Sequence, residues 1–381
     1  MSGGRAAALA ALFEERKDAI LADLEELVTR ESPSDDAPRV SALTRWIAER
    51  LAGAGIPAEC VPCSGRGDAL RARRGGEGGT LLLGHVDTVW PAGTLSDLPF
   101  GVADCVARGP GVFDMKGGIA VALAVLDAVG RGEVRPARGL SLLLTPDEEV
   151  GSAASRELLV AEAKRHARVL VLEPAGDGGA AKVGRKGVGQ VAVRLQGVAS
   201  HAGLEPEKGA SALAELARFV LYAEALADRD LGTSVVPTLA RAGSRANVVP
   251  EAAELTVDFR VWSRAEGARV EAALRAYRSE DPRVRVEVEG GLNRPPMEAT
   301  AASMEMHRTA AALALRIGFP LPCTRVGGAS DGNLTADAGV PTLDGLGPSG
   351  GGAHARSEHL LVDDLPRRCA LLAGLLEEGT A

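Results

Sequence analysis

Three short apolar runs in this chain each deliver side chains able to bind a metal or move a proton. Thr80-Leu-Leu-Leu-Gly84 leads into His85, Leu140-Ser-Leu-Leu-Leu144 into Glu148 and Glu149, and Arg168-Val-Leu-Val-Leu172 into Glu173. Short apolar runs that alternate with helical periodicity read as buried, parallel strands. Open α/β sheets bind ligands at the C-terminal ends of such strands. The predicted fold is therefore an α/β sheet whose rim gathers one histidine and three glutamates.

Each group carries its own chemical logic. Glu148 and Glu149 are adjacent in Thr145-Pro-Asp-Glu-Glu-Val-Gly-Ser152, on a strand-to-helix turn. Neighbouring carboxylates repel, and both stay ionised only beside a strong positive charge. A metal ion supplies that charge and lets one glutamate ligate while the other acts as base; an exposed acidic turn is the alternative. In His85-Val-Asp87 the side chains alternate with period two, so His85 and Asp87 point the same way. Asp87 can then accept one imidazole N–H and leave the other nitrogen for a metal.

Asp114 lies in Ala107-Arg-Gly-Pro-Gly-Val-Phe-Asp-Met-Lys-Gly-Gly118, just before a helix expected over about 116–129. It is either a helix N-terminal residue favoured by the macrodipole or a carboxylate able to bridge two metals, and spacing does not separate these. His354, in Gly350-Gly-Gly-Ala-His-Ala-Arg-Ser-Glu358, again follows a strand, at 341–345, and is the natural last ligand.

A chain of 381 residues predicts two domains or one with an insertion. Residues 187–292 read as β-α-β-β-α-β, the ferredoxin-like order; residues 1–186 and 293–381 form the catalytic part around them. Residues 5–29 read as one amphipathic helix, and Arg71-Ala-Arg-Arg74 as a solvated turn before glycines. A net charge of −8 argues against a nucleic-acid surface. No apolar stretch approaches the roughly 20 residues that span a bilayer. Charges at Glu14 to Asp18 argue against a signal peptide, so a cytoplasmic location is expected. Five cysteines fit reduced thiols, and the lone Cys60-Val-Pro-Cys63 reads as structural or incidental.

With these residues assembled, the chain resembles the zinc-dependent family of bacterial glutamate carboxypeptidases, aminoacylases and desuccinylases. The resemblance rests on Gly84-His-Val-Asp-Thr88, Gly111-Val-Phe-Asp-Met-Lys-Gly-Gly118, Asp147-Glu-Glu-Val-Gly-Ser152, Glu173-Pro174, Ser200-His-Ala-Gly203 and Gly352-Ala-His354, in the family's order over nearly the whole chain. Glu173-Pro, where other branches carry an Asp, places it nearest the glutamate carboxypeptidases.

The resemblance implies a zinc-peptidase-like mixed sheet flanked by helices, with an inserted α+β ferredoxin-like lid and dimerisation domain. It implies two zinc ions per subunit, with cobalt or manganese as possible substitutes. Asp114 would bridge them, His85 and Glu173 completing one site, Glu149 and His354 the other. Two cations flanking a shared carboxylate lower the pKa of a water between them and clamp the attacked carbonyl. Glu148 would take the water's proton, and Asp87 would orient His85. In the family the peptide bond after the bridging Asp is often cis, which singles out Asp114-Met115.

His201 would reach a neighbouring subunit's site and stabilise the oxyanion. Arg260 and Asn247 match positions that bind the substrate's terminal carboxylate and carbonyl region. Lys186 and Arg294 stay open between substrate contact and ordinary surface charge, while His166, His307 and His359 read as non-catalytic. The implied activity is hydrolysis of a peptide or N-acyl bond beside a free-carboxylate amino acid, glutamate foremost. The alternative is a deacylase of a biosynthetic intermediate of the acetylornithine or succinyl-diaminopimelate type. A catalytically silent binding module is disfavoured because Glu148 is present. Expected partners are a small N-acyl amino acid or short peptide and a second copy of the chain, with neither nucleic acid nor membrane. The missing export signal departs from secreted glutamate carboxypeptidases and favours an intracellular amide.

Overall fold

The computed structural model describes residues 1–379. The chain divides into two compact units, one of residues 1–184, 299–326 and 330 onward, the other of residues 185–298 with 327–329.

The first unit is built on a six-stranded mixed sheet in the order Ala58–Val61, Ala69–Arg74, Leu140–Thr145, Thr80–His85, Arg168–Val171, Thr342–Leu343. The last four strands run parallel and the first two antiparallel. Every residue of the three central strands is buried, as expected of a parallel sheet covered on both faces. Their side chains sort by period two. Leu82, Leu142 and Leu170 face a core built with the helices Lys17–Thr29, Gly117–Gly130 and Asp364–Glu377; Leu81, Leu83, Leu143, Val169 and Val171 face a second core with Leu159 and Leu334. Helix Gly117–Gly130 is apolar almost all round and accordingly buried.

Register places the chemistry. Leu83 pairs with Val171 and His85 with Thr145, so the three strands end flush, with Glu173 two residues beyond Val171 and level with His85.

Two expectations are corrected. Arg71–Arg74 is not a solvated turn but part of strand Ala69–Arg74, antiparallel to Leu140–Leu144. Leu70 and Ala72 point inward, while Arg71 reaches Glu59 and Arg73 reaches Glu162, so these two arginines form one face of an alternating strand, with Arg74 exposed at its end. The single helix over 5–29 is two, Gly3–Glu14 and Lys17–Thr29. Phe13 and Ile20 stand seven residues apart, two helical turns, so the apolar stripe keeps its phase across the break and hides it.

The second unit is an antiparallel sheet in the order Ser234–Ala242, Ala252–Val261, Gly187–Gln196, Arg285–Arg294. Helices Ala212–Glu224 and Arg264–Ala276 pack on it through Phe219, Leu274, Val193, Val257 and Phe259. This is the ferredoxin-like arrangement. The fold is thus a mixed sheet flanked by helices with an α+β insertion.

Gly118 ties the buried helix to the rim: a Cβ there would stand 2.0 Å from the Leu172 carbonyl oxygen, one residue before Glu173. Backbone cannot rotate away as a side chain can. Gly118→Ala is expected to lower unfolding free energy by about 1–3 kcal/mol, read from urea midpoints. An unchanged midpoint would mean that helix and strand separate freely.

Candidate metal centre

His85 fixes the first side of the centre. Its Nδ1 lies 2.9 Å from the backbone carbonyl of Asp87, which can only accept, so Nδ1 carries a hydrogen and Nε2 is the nitrogen turned to the centre. Nε2 stands 3.3 Å from Asp114 Oδ1 and 3.4 Å from Glu173 Oε1. The Asp87 carboxylate is farther from the imidazole, at 3.4 Å, and does more than orient it. It accepts from the Ser34 hydroxyl at 2.7 Å and from the backbone N–H of Glu148 and Glu149 at 3.1 and 3.2 Å. One buried carboxylate thus fastens the Glu148-Glu149 turn beside His85.

Asp114 occupies the middle. Its loop is held by Glu358, whose carboxylate accepts from the N–H of Gly111, Phe113 and Asp114 at 2.9, 2.9 and 3.0 Å and from the Trp90 indole at 2.7 Å. The Asp114-Met115 peptide is cis. Asp114 Oδ2 lies 3.4 Å from His354 Nε2, which is also 3.1 Å from Glu149 Oε2. The two oxygens of one carboxylate therefore face two different histidines, each with its own further carboxylate. His354 takes φ +62, a left-handed conformation rare outside glycine.

The structure therefore brings together His85, Asp87, Asp114, Glu149, Glu173 and His354, with Glu148 half-buried on the same turn as Glu149. His201, Asn247 and Arg260 belong to the second unit. There, His201 Nδ1 accepts from the N–H of Gly203 and Leu204, both at 3.1 Å, leaving Nε2 to carry the hydrogen. Ala202 N–H donates to the Asn247 carbonyl at 3.0 Å, so the two loops adjoin. The Arg260 fork is not open: Nε and Nη2 donate to Asp258 at 2.9 and 3.1 Å, two residues back on the same strand face. Arg294 is buried rather than a surface charge, and Lys186 donates to the Gly232 carbonyl. His166 bonds the Glu162 carbonyl and Ser141, His307 the Leu321 carbonyl, and His359 the Ser357 carbonyl.

Several supporting residues escaped the sequence reading. Glu358 and Ser34 are two. Asp147 accepts from Ala154 N–H at 2.8 Å and Ser155 Oγ at 2.5 Å; Asp331 accepts from Thr145 at 2.7 Å and from Ser152. Asp147 and Glu358 did carry a signal, since each is an acid left over beside a ligand motif. Lys116 is fully buried, donates to the Arg30 carbonyl at 3.0 Å, and is pushed by burial down to about 7.

The electrostatics fit a cation. Hydrogen bonds to Asp114 and Glu149 push His354 up to about 10. Burial opposes a charge on His85, yet Asp114, Asp87 and Glu173 raise it well above its ordinary value. Burial likewise opposes ionisation of Asp114, but His354 and His85 hold it below the usual carboxylate range. Burial raises Glu149. Ligand atoms of His85, Asp114 and Glu149 lie within 4.8 Å of one another, and Glu149 Oε1 is buried with no hydrogen-bond partner. Imidazole nitrogens mixed with carboxylate oxygens suit zinc, and also cobalt or manganese.

The profile of peptidase family M20/M25/M40 matches residues 81–378. Carboxypeptidase G2 of Pseudomonas sp. (strain RS-16) is 33% identical over 380 residues, covering 96% of this chain and 91% of that protein. Succinyl-diaminopimelate desuccinylase of Alkalilimnicola ehrlichii is 31% identical over 361 residues, covering 89% of this chain and 94% of that protein. Among solved structures, the Bacillus subtilis YXEP protein, a dinuclear metal binding peptidase from the M20 family, aligns with a TM-score of 0.71 at 15% identity, covering 95% of this chain and 98% of that one.

Carboxylates beside Nε2 of His85 and of His354 favour a proton there at neutral pH, and a cation must displace it. Because the histidine pKa values are raised in the folded chain, these contacts stabilise the metal-free protein below about pH 6.5 and fade as pH rises through the raised values, about 10 for His354. Metal affinity runs the opposite way. It is expected to fall about tenfold per pH unit for each proton released between pH 8 and 6. Calorimetry in two buffers of different ionisation enthalpy measures the release; a pH-independent affinity would contradict it.

Proposed function

This chain belongs to peptidase family M20/M25/M40 and is a metal-dependent hydrolase of amide bonds; from that premise we propose that it cleaves a peptide or N-acyl bond beside an amino acid with a free α-carboxylate, glutamate foremost. The observation that carries the two-metal form of this reading is Asp114, whose two oxygens face His85 and His354 separately. His85 and Glu173 would hold one zinc ion, Glu149 and His354 the other, with Asp114 between them. The ions, when bound, supply positive charge that acidifies water and polarises the scissile carbonyl.

The remaining work falls to side chains. Glu148 accepts the attacking water's proton and returns it to the leaving amine nitrogen. Asp87 keeps Glu148 in place through its backbone N–H, and so acts on the base as well as on His85. His201 offers Nε2–H, the hydrogen that its Nδ1 contacts leave there, to the developing oxyanion in a second copy of the chain. That role makes the inserted unit a lid and dimerisation domain. Arg260 receives the substrate carboxylate in exchange for Asp258, and Asn247, beside His201, contacts the carbonyl region.

Likeness to a succinyl-diaminopimelate desuccinylase supports a second reading, deacylation of an N-acyl biosynthetic intermediate. No helix among the described residues is long and apolar enough to cross a membrane.

Zinc-loaded protein should release glutamate from an N-acyl-glutamate, and a chelated sample should not. Release of a different amino acid only would move the substrate class. Glu148→Ala should retain its metal content yet lose about 100- to 10,000-fold in kcat; near-normal turnover would remove the base assignment. Mixing His201→Ala with Glu148→Ala subunits should restore partial activity, and none despite demonstrated subunit exchange would exclude action across a dimer.

A further inference from the structure

Beside the candidate centre, wholly within the first unit, lies a cavity of about 220 Å³ lined by Trp90, Asp97, Leu98, Arg108, Arg356 and Glu358. It is smaller than the roughly 300–1,000 Å³ that encloses a drug-sized ligand, so it suits one substituent of a substrate. Its position is set by the hydrogen bonds that set Asp114. Glu358 accepts from the Trp90 indole on Oε2 and from the Asp114 N–H on Oε1, so one carboxylate separates the cavity wall from the centre. Arg356 follows His354 by two residues on the same loop.

The two arginines of this cavity stand apart from the ion pairs that engage most others in the chain. Arg108 and Arg356 are exposed, and neither guanidinium has an ion-pair or hydrogen-bond partner among the described residues. Two acids also line the cavity. Glu358 already accepts four N–H donors and is turned to the backbone. Asp97 is exposed. The four formal charges cancel, but with Glu358 engaged by N–H donors two guanidinium groups stand against one uncommitted carboxylate. An indole wall with two planar cations at its rim is a receptor for a carboxylate on a short or flat carbon frame.

Resting on the amide-hydrolase reading above, we propose that this cavity takes the acyl half of the substrate and selects acyl groups that carry a carboxylate of their own. Under that reading the α-carboxylate is assigned to Arg260, so the two guanidiniums beside Trp90 are assigned to the acyl side. The substrate is then anionic at both ends: a dicarboxylic monoamide of the amino acid, or a dipeptide with an acidic first residue.

The test compares N-succinyl-glutamate with its neutral isostere N-succinamoyl-glutamate, using zinc-loaded protein. The kcat/KM ratio should favour the succinyl compound by about tenfold or more. Arg108→Ala and Arg356→Ala should each cut the ratio at least about threefold, and the double variant should bring it near one. A wild-type ratio near one overturns the proposal. So does a ratio unchanged in the double variant, including equal losses on both substrates, which would assign these arginines to the fold or to the α-carboxylate. If neither compound is cleaved, the substrate reading above has failed and the cavity is judged by binding alone. Calorimetric titration of succinate against succinamate should then show succinate favoured in the wild type and the preference lost in the double variant; equal binding of the two would overturn the cavity assignment.

Discussion

Three carboxylates and two imidazoles crowd into one small volume at the sheet rim, and like charges so close resist being assembled. The fold overcomes that repulsion with acids that stay out of the centre. Asp87 holds the backbone of Glu148 and Glu149, Glu358 holds the backbone of Gly111, Phe113 and Asp114, and Asp147 and Asp331 hold the turn that follows. Each accepts N–H or O–H donors, so each is satisfied where it is buried, and the ligands it positions are left facing one another. Strand register does the rest, because a slip of one residue would turn His85 or Glu173 to the wrong face.

What the sequence revealed follows from this division. The gathering of His85, Glu149 and Glu173 was legible because each follows a short apolar run between helical stretches, which folds as a buried strand. Asp114 was not resolved by spacing, since an acid before a helix has an ordinary explanation; its place between two histidines came only with the fold. Glu358 stood out only as an acid left over beside a motif; its role was not legible, because its partners are more than two hundred residues away along the chain. Arg71–Arg74 was misread because a cluster of charge looks solvated, whereas alternation with Leu70 and Ala72 is what a half-exposed strand requires.

Asp87 shows how a correct motif can conceal a second role. In His85-Val-Asp87 the period-two geometry pointed to the side-chain carboxylate as the partner of the imidazole. In the folded chain the shorter contact comes from the backbone carbonyl of Asp87, which frees the carboxylate for the neighbouring turn. Arg260 has the reverse history. Its guanidinium was expected to await a substrate carboxylate, and strand periodicity instead sets Asp258 beside it. Under the proposed role, a substrate carboxylate would have to compete with that pair.

The same crowding links stability to the cation. Glu149 Oε1 is buried without a partner, and an acceptor so placed costs about 1–3 kcal/mol until something positive meets it. In the metal-free chain, protons on His85 and His354 compensate only part of the charge of Asp114, Glu149 and Glu173. A divalent ion bound by the folded chain alone stabilises it by mass action. Substitutions in Asp87 or Glu358 therefore act twice: they loosen the ligands, and by weakening the cation they remove part of what holds the rim together. For this centre, loss of activity and loss of stability are two readings of one electrostatic balance.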